Sequence, residues 1–279
     1  MSIRNEENKL TNIKIAKVLS QKYSVDKKLG QNFLTSTRYL YKLVDSLEIN
    51  PKDTIIEIGP GFGSVTEEVL NRVKKVVCFE IDIKKVEFLS EYFEDKIELI
   101  NEDFLQIDFL KFLTDRGIDN YKVISSLPYN ASKPILSKLL TLEKPPQKIS
   151  VIIQKEVGHD MTAMSPRSTY LAQMTNVWCD VSSHGKIENW NFYPKPKVDG
   201  LILSFKIKNK YDLSYDQKLS LTKFLRIAFV NPRKQLHSVL KSIYPNVQDT
   251  IKQIDLKETI RSQEMDTEQW IKLWKMLHN

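Results

Sequence analysis

Between residues 54 and 153, short apolar runs alternate with stretches of helical spacing. Residues 54–58, 76–81, 97–100, 123–127 and 149–153 are dense in Val, Ile and aromatic side chains. Strands buried on both faces read this way, without an alternating polar face. Between them, 64–73, 83–93 and a stretch near 134–140 carry apolar residues every three or four positions, the period of an amphipathic helix. The alternation predicts a parallel sheet covered by helices on both faces. Two more strand candidates, 176–182 and 200–208, flank a proline-rich loop at 192–198 with no helix in it, which predicts an antiparallel pair at one edge. Beyond residue 210 the pattern is helical only. Leu219, Leu221, Phe224, Leu225, Ala228 and Phe229 form one apolar face, and Leu236, Val239, Leu240 and Ile243 another. Asp266 followed by Gln269 has the spacing of a capping box and opens a last helix holding Trp270, Leu273, Trp274 and Leu277. The tryptophans are expected in its core. The division that results is a basic arm over 1–30, an α/β domain over 31–210 and a small helical domain over 211–279.

Charge gives this plan a direction. The 279 residues carry 42 Lys and Arg against 35 Asp and Glu, a net charge of +7. The first 30 residues hold +4 and residues 206–241 hold +7, so the middle of the chain is near neutral. Two basic margins around such a core fit a folded anionic partner, RNA, better than a membrane surface. The first margin contains Ile13, Ala16 and Leu19 at helical spacing, which reads as a short amphipathic helix, either solvated or touching RNA. Cys78 and Cys179 are far apart and form no CxxC pair, no apolar run approaches membrane-span length, and residues 1–10 lack the apolar stretch of a signal peptide. A cytoplasmic, non-membrane protein is expected.

The candidate chemistry lies at strand ends. The first run leads into Glu57-Ile58-Gly59-Pro60-Gly61-Phe62-Gly63, where glycines let backbone approach a ligand. Its G-x-G-x-G spacing differs from the G-x-G-x-x-G of nicotinamide-binding folds. The second run ends at Glu80, placed to accept hydrogen bonds from ribose hydroxyls, and the third at Asn101-Glu102-Asp103. Three successive strands thus bring suitable groups to one edge. An adenosine-bearing ligand fits, with Glu80 on the ribose and Asp103 on the adenine amine. The fourth run ends in Ser125-Ser126-Leu127-Pro128-Tyr129-Asn130. A carbonyl fixed before proline, a neighbouring side-chain oxygen and the flat face of Tyr129 are what an extruded adenine needs. The two acceptors would hold its amine hydrogens, and the nitrogen could then attack a sulfonium methyl without a metal or a prior general base. His159, His184, His237 and His278 show no ligand or triad spacing.

At this point the sequence resembles the rRNA adenine dimethyltransferases. Lys27-Lys28-Leu29-Gly30-Gln31-Asn32-Phe33-Leu34 is similar to their K-x-L-G-Q-[HN]-F-L entry motif, and Glu57–Gly61 with Glu80-Ile81-Asp82 to their S-adenosylmethionine site. Leu127-Pro128-Tyr129-Asn130 resembles the end of their N-L-P-Y-N loop. Gln154-Lys155-Glu156-Val157, the segment from Phe192 to Asp199, and Ala228-Phe229 with Arg233-Lys234-Gln235-Leu236 resemble three further blocks. The matches run in family order from about 27 to 236.

The resemblance implies a Rossmann-like class I methyltransferase, with a seven-stranded, mostly parallel sheet and a small all-helical C-terminal domain. It further implies S-adenosylmethionine as methyl donor and no metal. Asn32, Leu34, Gly59, Gly61, Glu80, Asp103 and Ser126 would hold the donor, and Ser126, Leu127, Pro128 and Tyr129 would form the catalytic loop. The Gln-Lys-Glu-Val and Pro-Lys-Val-Asp segments look like the KsgA-type branch, which dimethylates two adjacent adenosines near the 3′ end of small-subunit rRNA. A monomeric enzyme acting on a pre-30S particle is the corresponding expectation. The alternatives are the macrolide-resistance branch, acting on large-subunit rRNA, and a non-catalytic RNA-binding assembly factor. Three departures from the pattern stand out: Ser126 where the family has its catalytic Asn, Pro232 where it usually has Arg, and Ser165-Pro166-Arg167-Ser168 where it has a glycine-containing loop. The first puts in doubt the rate and completeness of the second methylation. Lys206, Lys208, Lys210, Lys218, Lys223, Arg226, Arg233, Lys234 and Lys241 form the basic stretch, and Lys223, Arg226, Arg233 and Lys234 are the chosen RNA contacts.

Overall fold

The computed structural model describes residues 32–278. The basic arm over 1–30, with its helix near residues 13–19, lies outside the described residues. Five strands form the parallel part of the sheet: β2 (Ile55–Ile58), β3 (Val76–Phe79), β4 (Ile97–Ile100), β5 (Lys122–Ser126) and β6 (Lys148–Gln154). With β7 (Cys179–Ile187) and β9 (Gly200–Ile207) they make seven strands in the order β4-β3-β2-β5-β6-β9-β7. The first five pair in parallel, and β9 runs antiparallel to β6 from Gly200 opposite Gln154 to Lys206 opposite Lys148. A separate two-stranded ribbon pairs β1 (Phe33–Leu34) with β8 (Phe192–Tyr193), Phe33 opposite Tyr193.

Every residue of β2 and β3 is buried, which is why these strands read as apolar runs, broken only by Glu57 of β2. Their successive side chains serve opposite faces. Val76 and Cys78 join Leu40, Leu43, Val44, Val65, Val69, Leu89 and Phe93 from α1 (Thr37–Ser46), α2 (Ser64–Leu70) and α3 (Ile83–Phe93). Phe79 faces the other way, into a ring cluster with Phe104 and with Phe109 and Phe112 of α4 (Phe109–Asp115). Each fully buried Leu or Val contributes on the order of 1.5–3 kcal/mol, so the two faces anchor the strand ends firmly.

The chain divides into two compact units. Among the described residues, one comprises 32–155 and 182–206, the other 156–181 and 207–278. The second therefore takes in α6 (Lys155–Thr162) from Glu156 onward and α7 (Tyr170–Trp178), whereas a boundary at 210/211 leaves them with the sheet. Hydrogen bonds explain the grouping. Gln173 of α7 donates to the Met265 carbonyl and accepts from Thr267, and Trp178 donates to Thr222. The expected strand over 176–182 also begins later, because 176–178 complete α7, whose Ala172, Met174, Val177 and Trp178 are buried at helical spacing. The remaining helices of this unit are α8 (Tyr215–Ala228), α9 (Leu236–Leu240), α10 (Val247–Gln253) and α11 (Thr267–His278). The capping box ahead of α11 forms as its spacing predicts: the Asp266 amide donates to Gln269 at 3.0 Å and the Gln269 amide to Asp266 at 2.8 Å. Trp270 and Trp274 are buried.

Candidate active site

At the carboxyl ends of β2 to β5 the first unit holds a cavity of about 220 Å³. Of the residues expected to hold the methyl donor, all seven line it: Asn32, Leu34, Gly59, Gly61, Glu80, Asp103 and Ser126. Pro128 lines it as well, while Leu127 is buried and Tyr129 is not among its lining residues.

The glycine loop shapes the floor. Gly59 and Gly61 have φ of +67° and +61°, in the left-handed region that L side chains avoid. A Cβ on Gly61 would lie 2.9 Å from the Phe33 ring, so only glycine lets β1 close over this loop. Glu80 braces the loop from the side. One of its carboxylate oxygens accepts from the Gly61 amide and the other from the Asp82 amide, each at 3.0 Å. Burial raises the Glu80 pKa, while these amides and the Lys85 ammonium oppose the rise. Asn101 donates to the carbonyls of Glu80 and Ile81, tying the end of β4 to the end of β3. Asp103 accepts from the Leu105 amide at 2.9 Å, closing a local turn at the cavity edge.

The loop Ser126-Leu127-Pro128-Tyr129 begins at the last residue of β5. The Leu127 amide donates to the Ile152 carbonyl at 3.1 Å, and the Ala131 amide to the Pro128 carbonyl at 3.0 Å. Ser125 anchors the strand end by donating to the Ile58 carbonyl. Tyr129 stands edge-on to Phe192 of β8, ring centroids 6.4 Å apart. That same β8 pairs with β1, which carries Phe33 and Leu34 into the cavity wall.

Three contributors were not among the expected site residues, although Glu57 stood in the segment similar to the family's donor site. Glu57 lines the cavity from a strand otherwise apolar and accepts from Thr66 at 2.7 Å; burial pushes its carboxyl up to about 8. An acid inside a fully apolar run was the available signal. Lys138 of α5 (Ser132–Leu140) donates to the carbonyls of Phe104, Leu105 and Ile107, fixing the turn after Asp103, and burial lowers its pKa. Lys85 of α3 is paired with Asp82 and lies over the rings of Phe33 and Phe62. Nothing in the local sequence separates these two lysines from solvated ones.

Lys223, Arg226, Arg233 and Lys234 are all exposed on the helical unit. Lys218 leaves the basic stretch: it is buried, its ammonium lies over the Trp178 ring at 5.5 Å, and burial lowers its pKa. Lys208 is paired with Asp180. Among the described residues no three His, Cys, Asp or Glu side chains gather as metal ligands, and no helix is long and apolar enough to cross a membrane.

A mostly parallel seven-stranded sheet, with a glycine loop after β2 and acids after β3 and β4 opening into one cavity, is the fold and site of a class I methyltransferase. The ribosomal RNA adenine dimethylase family model matches residues 23–279. The chain belongs to that family. Ribosomal RNA small subunit methyltransferase A of Malacoplasma penetrans is 33% identical over 275 residues, covering 97% of each chain. The protein of the same name in Picosynechococcus is 33% identical over 273 residues, covering 91% of this chain and 97% of its own. The crystal structure of a dimethyladenosine transferase from Plasmodium falciparum shares the fold, with a TM-score of 0.74 at 22% identity over 86% of this chain and 95% of that one.

Proposed function

We infer that this chain catalyses S-adenosylmethionine-dependent N6,N6-dimethylation of adenosines in small-subunit rRNA. Two adjacent adenosines near the 3′ end are the proposed targets, in a cytoplasmic pre-30S particle acted on by a monomeric enzyme. The observation that carries the reading is the convergence of Gly59, Gly61, Glu80, Asp103, Ser126 and Pro128 on one cavity. Relatives 33% identical along nearly the whole chain, named for the small subunit, favour this branch over the large-subunit one.

The cavity fits the donor on three counts: a glycine floor that a Cβ would obstruct, a buried acid for a ribose, and apolar Phe79, Ile81 and Phe104 beside Asp103 for an adenine. When bound, S-adenosylmethionine supplies a methyl group on a positively charged sulfur. In our reading Glu80 accepts from the ribose hydroxyls and Asp103 from the adenine amine, while Asn32 and Leu34 cover the donor. Tyr129 stacks on the target base. The Ser126 hydroxyl and the Leu127 carbonyl accept the hydrogens of its exocyclic amine and aim the nitrogen lone pair at the methyl group. One proton leaves that nitrogen with each transfer. Lys223, Arg226, Arg233 and Lys234 hold phosphates and leave base readout to the cavity. A paired adenine hides its amine, so the target is presented unpaired.

Tritium transfer from labelled S-adenosylmethionine tests this. Label entering unmethylated 30S particles, followed by mass spectrometry of the modified fragment, is the expected result. Transfer only to naked large-subunit rRNA would move the chain to the other branch. Tight RNA binding without donor affinity would make it an assembly factor.

A further inference from the structure

Lys85 is a lysine where the fold has no evident use for one. It sits on the inner face of α3, is 2% exposed, and pairs with Asp82. Its ammonium lies 5.9 Å from the centroid of the Phe33 ring and 5.6 Å from that of Phe62, within cation–π range of both. Phe33 belongs to β1, Phe62 follows Gly61, and the two rings touch at a centroid distance of 4.8 Å. One buried charge therefore contacts the cover, the glycine loop and the segment after β3. The partner it pairs with is bound into the same network. The Asp82 side chain caps α3 by accepting from the Lys84 amide, and the Asp82 amide donates to Glu80. Taking a lysine out of water is costly and is tolerated only when the charge is well compensated.

We propose that Lys85 is a positioning residue for methyl-donor binding, fastening β1 and the glycine loop to the Glu80 segment and supplying the positive charge that holds the Glu80 carboxylate ready for the ribose. The proposal rests on the reading of Glu80 as the ribose acceptor. The ionisable groups around Glu80 are Glu57 and Cys78 from β2 and β3, Asp82 and Lys85 after β3, and Glu102 and Asp103 after β4. Among these Lys85 is the cation. Burial and Asp82 push the Glu80 carboxyl toward its neutral form, and Lys85 opposes them. Donor affinity should therefore be gained as pH rises and Glu80 ionises, at a midpoint that Lys85 keeps low.

Calorimetric titration of the full chain with S-adenosylmethionine between pH 5 and 8 tests this. Lys85→Met keeps the apolar stem and removes the charge. It should weaken donor binding about tenfold at pH 7 and move the midpoint upward, with turnover at saturating donor within about twofold of the parent. Lys85→Arg should restore both affinity and midpoint, and exposed Lys84→Met should change neither. Asp82→Asn removes the acid that opposes Lys85 at Glu80, so its midpoint should move down. That variant carries the test if Lys85→Met does not fold. An unmoved midpoint in Lys85→Met, an arginine variant as weak as the methionine one, or no downward shift in Asp82→Asn would each overturn the proposal. A parent protein that binds no donor at any pH would instead contradict the donor-site reading.

Discussion

The two ends of the cavity are built in different ways. At the proposed donor end, three successive strands each deliver a group, and the groups are braced against one another. Glu80 holds the Gly61 and Asp82 amides, Asn101 holds the end of β3, and Lys138 holds the turn after Asp103. At the proposed target end, the groups assigned to the chemistry are four consecutive residues, Ser126 to Tyr129, starting at the last residue of β5; the Leu127 amide donates to the Ile152 carbonyl of β6, and Tyr129 stands edge-on to Phe192. Affinity for a large ligand accumulates over many contacts, so distributing them costs nothing in geometry. Aligning one nitrogen with one methyl demands acceptors at fixed mutual distance, which adjacent residues on one stiff loop provide.

Glu80→Ala should strike the donor end hardest. It removes the proposed ribose acceptor and leaves the Gly61 and Asp82 amides without their partner, and hydrogen bonds to a charged group are worth about 1.5–3 kcal/mol each. A rise of about 100-fold in donor Kd by calorimetry is expected, and unchanged affinity would remove Glu80 from the site. Tyr129→Ala should reveal the opposite profile: turnover lower by about 10- to 100-fold, from the loss of roughly 1–3 kcal/mol of base stacking, with donor Kd nearly constant. Equal losses in both would contradict the separation of the two ends.

Glu57→Gln tests the floor they share. Burial raises this carboxyl in the folded protein to about 8, from 4.5. The folded state therefore holds a proton that the unfolded state has lost, and stability falls as pH rises from about 4.5 to about 8, then levels off. The glutamine variant keeps an acceptor for Thr66 and carries no charge. Its stability relative to the parent should grow across that window by up to about 1.4 kcal/mol per pH unit, measured as denaturant midpoints; a flat difference would refute it. Ser126→Asn should raise the fraction of doubly methylated product severalfold, read by mass spectrometry of the target fragment. Smallest of all, Arg226→Ala should weaken rRNA binding modestly and reduce the salt slope by about one, with donor affinity untouched.

Much of the α/β unit was legible because a buried parallel strand is dense in apolar residues, and β2 to β6 each fall on such a stretch. The spacing from the glycine loop to Glu80 was legible for a similar reason, since strand, helix and strand have fixed lengths. Local chemistry was equally plain in the Asp266–Gln269 cap. Elsewhere local pattern misled. Residues 176–182 read as a strand, yet 176–178 complete α7, with the Trp178 indole donating to Thr222. Lys218 reads as one more basic surface residue and lies against Trp178 instead. The pairing of β1 with β8 joins distant segments, Phe33 with Tyr193 160 residues later at one register position, and no short window contains both.

The sequence by itself determined the alternation of strand and helix, the strand ends that carry glycine and acid, and the loop Ser126-Leu127-Pro128-Tyr129, because each depends on residues near one another in the chain. Only the tertiary structure decided which charges are buried. Lys85 and Lys138 differ from solvated neighbours in nothing but the elements folded over them: Lys85 is buried against Asp82, and half-buried Lys138 finds the carbonyls of Phe104, Leu105 and Ile107.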